Sequence, residues 1–315
     1  MPVTLAEAQN NATDAIDVSV INEFRVSPLL DLLTFDDVVS PSGGGTLTYG
    51  YRRLTTAGTA STRALNTEYT PQEVTTTRET VDLKPLGGSF QVDRVIGRVG
   101  PAASSAVSLN MSEKVNGAKG EFANLFINGD TAVDTDDFDG LDKILTGSST
   151  EVSTGDDWSA IASDQAGFDI LDYLDDVLGL LDGQPGAIIS NKKALAKIRS
   201  AARRAGYFTA SEGAAGQLID RYNGIAMVDP GQKPGTNTDI IPVTAGLTDL
   251  YVVRYGLDGV HGVSMAGAPL VQTWLPDFST AGAVKTGEVE MGPVAVVVKK
   301  TKSAAVARGI RVAAA

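Results

Sequence analysis

The chain has 315 residues, 43% hydrophobic and 20% charged, with a formal net charge of −12 and no cysteine. It is too apolar for wholesale disorder and long enough for two domains or one large discontinuous one. The acid excess disfavours a reader of DNA or of an anionic membrane, whose affinity comes from Lys and Arg. The missing thiols exclude disulfides, thiolate zinc sites and cysteine nucleophiles, and fit folding in a reducing cytoplasm.

In chain order, Leu5, Ala8, Ala12, Ile16, Val20 and Phe24 recur every three or four residues, which predicts an amphipathic helix. The start has no basic n-region or apolar h-region, so no signal peptide is expected, and no apolar run approaches a membrane span. SPLLDLL follows at 27–33, and GGG at 43–45 reads as a flexible joint. TLTYGYRRL and EVTTTRETVDL alternate in Thr, Tyr and Val, predicting two strands joined by a long polar tip. That hairpin has too few apolar residues to bury a face of its own, so support from a neighbouring subunit is expected.

PLGGSFQVDRVIGRVG predicts a short strand bounded by glycines. Val107, Met111, Val115, Ala118, Phe122 and Phe126 then mark a helix over 102–128, on the order of 35 Å long. Gly117 and Gly120 inside it suggest close packing or bending, at a cost of about 1 kcal/mol each relative to Ala. Further on, Leu171, Leu174, Leu178 and Leu181 form a helical stripe, AIIS a buried strand, and Asn191 a cap for ALAKIRSAARRA. YNGIAMVDPG and DLYVVRYG read as strands, and the segment from Val284 onward as one or two long ones.

The strongest candidate for chemistry is DTDDFDGL at 134–141, flanked by Asp130 and Asp142. Placing Gly140 at position 6 of an EF-hand loop puts Asp137 and Asp139 at 3 and 5, but Thr135 at 1 and Thr146 at 12, where ligands are required. A connection is the better reading: Phe138 and Leu141 pack, Gly140 turns, and the acids stay in water. HGVSMAG approximates a nucleophile elbow through Gly262 and Ser264, yet Ala266 replaces its second glycine. His261 is the chain's only histidine and reads as a polar residue between two strands; alone it cannot build a zinc or iron site. GGG lacks the Lys and Ser/Thr of a phosphate loop, and the acidic pairs Asp136/Asp137, Asp156/Asp157 and Asp175/Asp176 are too common here to inform. The basic clusters Arg199/Arg203/Arg204 and Lys299/Lys300/Lys302 suggest subunit contacts rather than duplex binding. No catalytic, cofactor-binding or metal residue is assigned.

The order of segments resembles the major capsid protein of tailed bacteriophages, the Hong Kong 97-type fold, from about Val18 to Arg311. SPLLDLL, EYTPQE leading into VDLKPLGGSFQVDRVI, EFANLFINGD followed by FDGL, and GAIISNKKALAKIR carry the resemblance. It implies an α+β fold. Residues 1–45 would be an N-terminal arm and 46–83 an extended β-hairpin loop lying over the adjacent subunit. Residues 84–140 with 284–301 would form a peripheral domain around a spine helix at 102–128. Residues 141–283 with 302–315 would form an α/β axial domain meeting its copies around five- and six-fold axes.

The resemblance also implies a structural, non-enzymatic subunit that self-assembles through pentamers and hexamers into an icosahedral shell. The shell would enclose double-stranded DNA without reading its sequence, be made in the host cytoplasm and reside in the virion. Scaffolding, portal and cement proteins are the expected partners, with no cofactor and no membrane. Some family members weld the loop to a neighbour through a Lys–Asn isopeptide; Thr46–Asp82 holds no Lys and Lys84 stands only at the base, so no such bond is expected. The arm is short for a cleaved scaffold domain. Gly87–Gly88 and Gly117/Gly120 join GGG as candidate joints for fitting pentamers and hexamers alike. An encapsulin-like compartment for enzyme cargo is the alternative within the fold, and a secreted calcium-dependent adhesin or hydrolase the alternative outside it.

Overall fold

The computed structural model describes residues 27–40, 46–96, 101–206, 210–212, 218–267 and 269–314. The helix expected at 5–24 and the GGG joint lie outside them. Among the described residues no helix is long and apolar enough to cross a membrane.

SPLLDLL forms one helical turn, α1 (Leu29–Leu32), and continues into a strand, β1 (Phe35–Val39). The expected hairpin is β2 (Thr48–Thr56) paired antiparallel with β3 (Thr75–Asp82). Threonines zip it across the strands: Thr55 and Thr77 hydroxyls lie 2.7 Å apart, and Thr75 donates to Thr56 at 2.8 Å. The strand after it is longer than expected, β4 (Lys84–Asp93), and pairs with β13 (Val284–Val298). Gly87 and Gly88 are therefore mid-strand rather than a joint. A Cβ on Gly87 would stand 2.4 Å from the Val289 carbonyl oxygen, so close strand approach requires this glycine.

The long helix is α2 (Pro101–Asn128), 28 residues opening on Pro101, where the missing N–H leaves no helical bond unmade. The expected stripe is buried at Ala118, Phe122 and Phe126, and the last turns also bury Ala123, Leu125 and Ile127. Its C-terminal end is thus enclosed nearly all round, packed in the core shared with β1, β13 and the second sheet. Its two glycines differ. Nothing stands within 4 Å of a Cβ on Gly117, whereas one on Gly120 would meet Pro234 Cγ at 3.2 Å. Gly117→Ala is expected to raise stability by about 0.5–1 kcal/mol, and Gly120→Ala by less. Urea midpoints of the two single variants check this; equal gains would remove Pro234 from the explanation.

Two sheets organise the rest. In the first, β1, β11 (Val260–Met265), β13 and β12 (Val271–Trp274) are neighbours in that order, with β4 also on β13. β13 buries alternate residues up to Met291 and every residue from Val294 to Val298, the switch falling at the irregularity around Pro293. The second sheet runs β5 (Glu151–Val152), β14 (Ala304–Arg311), β10 (Leu247–Val253), β6 (Ala187–Ser190), β9 (Ile225–Val228), β8 (Leu218–Tyr222) and β7 (Ala210–Glu212).

That second sheet is covered on both faces, which is why AIIS is buried at every position. Ile189, Tyr251, Val253 and Val306 face α2 and the first sheet. Ile188, Leu250, Val252 and Ala305 face two helices. These are α4 (Asp164–Leu178) and α5 (Lys192–Arg204). The short helix α3 (Leu141–Leu145) follows the acidic stretch. Asn191 caps α5 as expected, its Oδ1 accepting from Lys193 N at 2.9 Å.

Candidate functional site: the acidic joint and the hairpin base

The acidic stretch begins where α2 must stop. Gly129 N closes onto Leu125 O at 3.0 Å, and Gly140 N returns to Gly129 O at 2.8 Å, so residues 130–139 form a loop pinned at its neck. A Cβ on Gly140 would lie 2.5 Å from Leu125 O and 2.7 Å from Ile127 O. Gly140 has extended backbone, φ −87°; it is glycine because the chain passes against the helix end there. Phe138 and Leu141 are buried as expected, with the Phe138 ring 5.9 Å from that of Phe122.

The acids do not simply stay in water. Lys143 Nζ lies 2.7 Å from Asp130 and 2.8 Å from Asp139, and Thr131 donates to Asp139 through N and Oγ1 at 3.0 and 2.7 Å. Hydrogen bonding from Lys143 holds the Asp130 carboxyl below its usual range. At Asp139 burial works the other way, and the bonds from Lys143 and Thr131 outweigh it. Burial, with the Asp134 carboxylate next, raises Asp137.

Asp142 belongs to a different cluster. Arg308 on β14 contacts its carboxylate at 2.5 Å, ion-pairs with Glu151, and lies 3.5 Å from Asp249, while Tyr251 Oη donates to Asp142 at 3.0 Å. Lys143, four residues after Asp139, and Arg308, from the far end of the chain, neutralise Asp130, Asp139 and Asp142, while Asp134 and Asp136 stay exposed as expected. Among the described residues no group of three or more His, Asp or Glu side chains converges to hold a metal.

Above the joint stands the hairpin base. Lys84 Nζ donates to Thr135 O at 2.6 Å, tying the start of β4 to the acidic loop. Tyr51 Oη donates to Val298 O at 3.2 Å, and Arg53 donates to Val298 O at 3.0 Å and to Lys299 O at 3.2 Å. Tyr49 is buried and donates to Asp36 at 3.2 Å. The base therefore docks on its own chain, which the sequence did not predict. Residues 57–74 remain exposed throughout, Leu65 at 89% and Tyr69 at 60%. Between base and joint lies a cleft of about 470 Å³ lined by Tyr51, Arg53, Glu79, Lys84, Asp137 and Ile144 among others.

His261 sits inside β11 rather than between strands, and is fully buried. Its ring meets Tyr49 edge-on at 6.0 Å, and neither ring nitrogen has a partner in hydrogen-bonding geometry. Ser264, three residues along the same strand, falls on the opposite face, so the two form no dyad. Gly262 is explained by packing: a Cβ there would stand 2.5 Å from the Phe35 ring.

Burial, then the Lys299 charge, push the His261 pKa below its ordinary 6.5, with Asp36 and the Gly259 backbone pulling weakly the other way. A folded pKa below the unfolded one means that the unfolded chain binds the extra proton. The stabilising contribution is complete above about pH 6.5 and is lost as pH falls, by at most about 1.4 kcal/mol per unit. His261→Phe, which removes the proton site, is expected to flatten that part of the stability profile between pH 7.5 and 5. Parallel denaturation profiles for the two proteins would contradict it.

The remaining acidic pairs serve local structure. Asp156 accepts from Trp158 Nε1 at 3.1 Å, Asp157 from Ser159 N at 2.9 Å, and Asp175 from Tyr222 Oη at 3.0 Å. Arg199 pairs with Asp220 at 2.6 Å, and Lys300 lies 3.5 Å from Asp182. Lys299 stands over the Tyr49 ring at 5.5 Å.

The sequence matches no protein-family model and no curated protein. Solved structures do match over the whole chain. The holo-SrpI encapsulin complex from Synechococcus elongatus PCC 7942 is 15% identical with a TM-score of 0.62, covering 99% of this chain and 97% of that one. The capsid of the native GTA particle is 14% identical, TM-score 0.62, with 98% and 99% covered. A chain of Gordonia phage Cozz is 12% identical, TM-score 0.59, with 97% and 94% covered. The chain has the mixed α+β fold of these matched chains.

Proposed function

We propose that this chain is the major capsid protein of a tailed bacteriophage, a structural subunit that assembles through pentamers and hexamers into an icosahedral shell around double-stranded DNA. The observation that carries the reading is end-to-end similarity to capsid chains, with both lengths covered almost completely. The exposed hairpin tip supports it: an 18-residue crossing at 57–74 with Leu65 and Tyr69 in solvent is costly alone and stabilised when laid on another copy.

In this reading α2 is the spine of a peripheral domain formed by 84–140 and 284–301, to which β11 and β12 are hydrogen-bonded. The second sheet with α4 and α5 is the axial domain, within 141–283 and 302–315. The acidic joint links the two, and residues 1–45 are the arm. The shell is held without isopeptide cross-links, because Lys84 is engaged with Thr135 and the hairpin carries no lysine. Separate scaffolding, portal and cement proteins complete the particle, which is made in the host cytoplasm. The subunit performs no catalysis.

The encapsulin-like compartment is the second reading, favoured by a TM-score of 0.62 to the SrpI encapsulin. Purified particles decide between them. Nucleic acid inside supports the capsid, and an enzyme cargo supports the compartment. A monomer whose stability drops on chelation would overturn both and restore a calcium-binding adhesin.

A further inference from the structure

His261 is a buried titratable group that the fold leaves unpaired. Both ring nitrogens are out of solvent and neither makes a hydrogen bond. A neutral imidazole in that position forgoes its bonds; an imidazolium would add a buried charge, which costs far more. β11 is flanked by β1 on one side and β13 on the other. The cover over the ring comes from the hairpin, where Tyr49 of β2 meets it edge-on at 6.0 Å.

The charges around the ring leave little room for another cation. From β1, Asp36 pairs with Val263 and so shares the face of His261, but its carboxylate already accepts from Tyr49 Oη at 3.2 Å. Just past β13, the Lys299 ammonium stands over the Tyr49 ring at 5.5 Å. β2 adds Arg53, bonded to the Val298 and Lys299 carbonyls, and β3 adds Glu79 opposite Tyr51. Burial and the Lys299 charge keep the docked ring neutral.

The cover is able to lift as a unit. β2 and β3 pair with each other from Thr48–Asp82 to Thr56–Thr75, and raising the pair breaks none of those bonds. Its grip on the first sheet is made by side chains: Tyr49 on Asp36, and Tyr51 and Arg53 on the carbonyls that end β13. At the foot, Leu83 N donates to Leu47 O at 2.7 Å, which makes that pair the pivot.

We infer that His261 is an acid switch for the hairpin: protonation of its ring releases Tyr49 and lifts the base of β2–β3 from the first sheet while the rest of the fold stays closed. In the lifted state Tyr49 gives up Asp36, the imidazolium stands beside that carboxylate, and water reaches the ring. The docked base favours the neutral ring and the lifted base the charged one, so acid drives release and neutral pH restores docking. The exposed tip at 57–74 rides on this base and moves with it. The switch is a property of the single chain and does not depend on what a shell encloses.

Thiol labelling of the full chain tests it. The chain has no cysteine, so one introduced thiol is read alone. Val298 is 3% exposed and lines the cleft beneath Tyr51 and Arg53, which makes Val298→Cys the reporter. A neutral aromatic disulfide is the probe, with the rate at each pH divided by that of Ser61→Cys on the exposed tip. With an ordinary histidine pKa of about 6.5 in the lifted state, the normalised rate is expected to rise about tenfold from pH 7.5 to 5.5. It is expected to stay flat when His261→Phe is added. His261→Gln, neutral at both pH values, repeats the comparison where phenylalanine itself lifts the base. Val306→Cys, fully buried in the second sheet, is expected to stay protected at pH 5.5 and so separates release from unfolding. A flat parent profile, the same rise in both His261 variants, or an equal rise at Val306→Cys would overturn the inference. So would a rise confined to pH below about 5, where carboxylates titrate instead.

Discussion

Phe138→Ala is expected to lower the unfolding free energy by about 3–5 kcal/mol, while Asp136→Asn changes it by less than about 0.5. Phe138 is 1% exposed and fills the space between the end of α2 and the first sheet, its ring against Phe122, which packs in turn on Phe35. Truncation leaves a cavity that the loop cannot collapse into, because its neck is held by Gly129 and Gly140 in close backbone contact. Asp136 is exposed, and only its backbone is tied, through N to Asp134 Oδ1 at 2.9 Å. Denaturant midpoints of both variants give the comparison. A larger loss for Asp136→Asn would return the stretch to a ligand-binding role.

Arg308→Met is the second large effect, with an expected loss of about 1–2 kcal/mol, most of it from Glu151. The guanidinium satisfies Asp142 and Glu151, bonds Thr146 Oγ1 at 2.9 Å, and stands near Asp249. Side-chain exposure is 23% for Arg308 and 15% for Glu151 but 32% for Asp249 and 45% for Asp142, so removing the cation leaves Glu151 as the one poorly hydrated carboxylate without its partner, beside two that water reaches. Replacing Asp142 and Glu151 by Asn and Gln in the Arg308→Met background is expected to recover part of the loss. Melting curves at neutral pH read both effects; no recovery would mean that Arg308 acts through packing alone.

Much of the secondary structure was legible because it is encoded within a few residues. The Thr/Tyr/Val alternation of the hairpin and the Asn191 cap each formed, and the α4 stripe formed at Leu171, Leu174 and Leu178, but the helix stops at Leu178 and Leu181 lies beyond it. The stripe on α2 was right but understated, since a helix end enclosed by two sheets loses its solvent face. What was illegible depends on distant sequence. β1 pairs parallel with β11, joining Phe35 to Gly262, and no local signal marks that partnership. The same holds for Arg308 reaching Asp142 and for Tyr51 and Arg53 reaching Val298. Lys143 could have been found, because it stands four residues after Asp139 at the start of a helix. His261 was placed on polarity alone, and burial without a hydrogen-bond partner is not written in its neighbours.

The central claim is that this chain builds a closed shell. Negative-stain microscopy of the purified full chain, concentrated with and without a chelator, tests it most directly. The account predicts rings and closed particles of uniform diameter in both conditions. A uniform population of single subunits, unchanged by concentration, would contradict it.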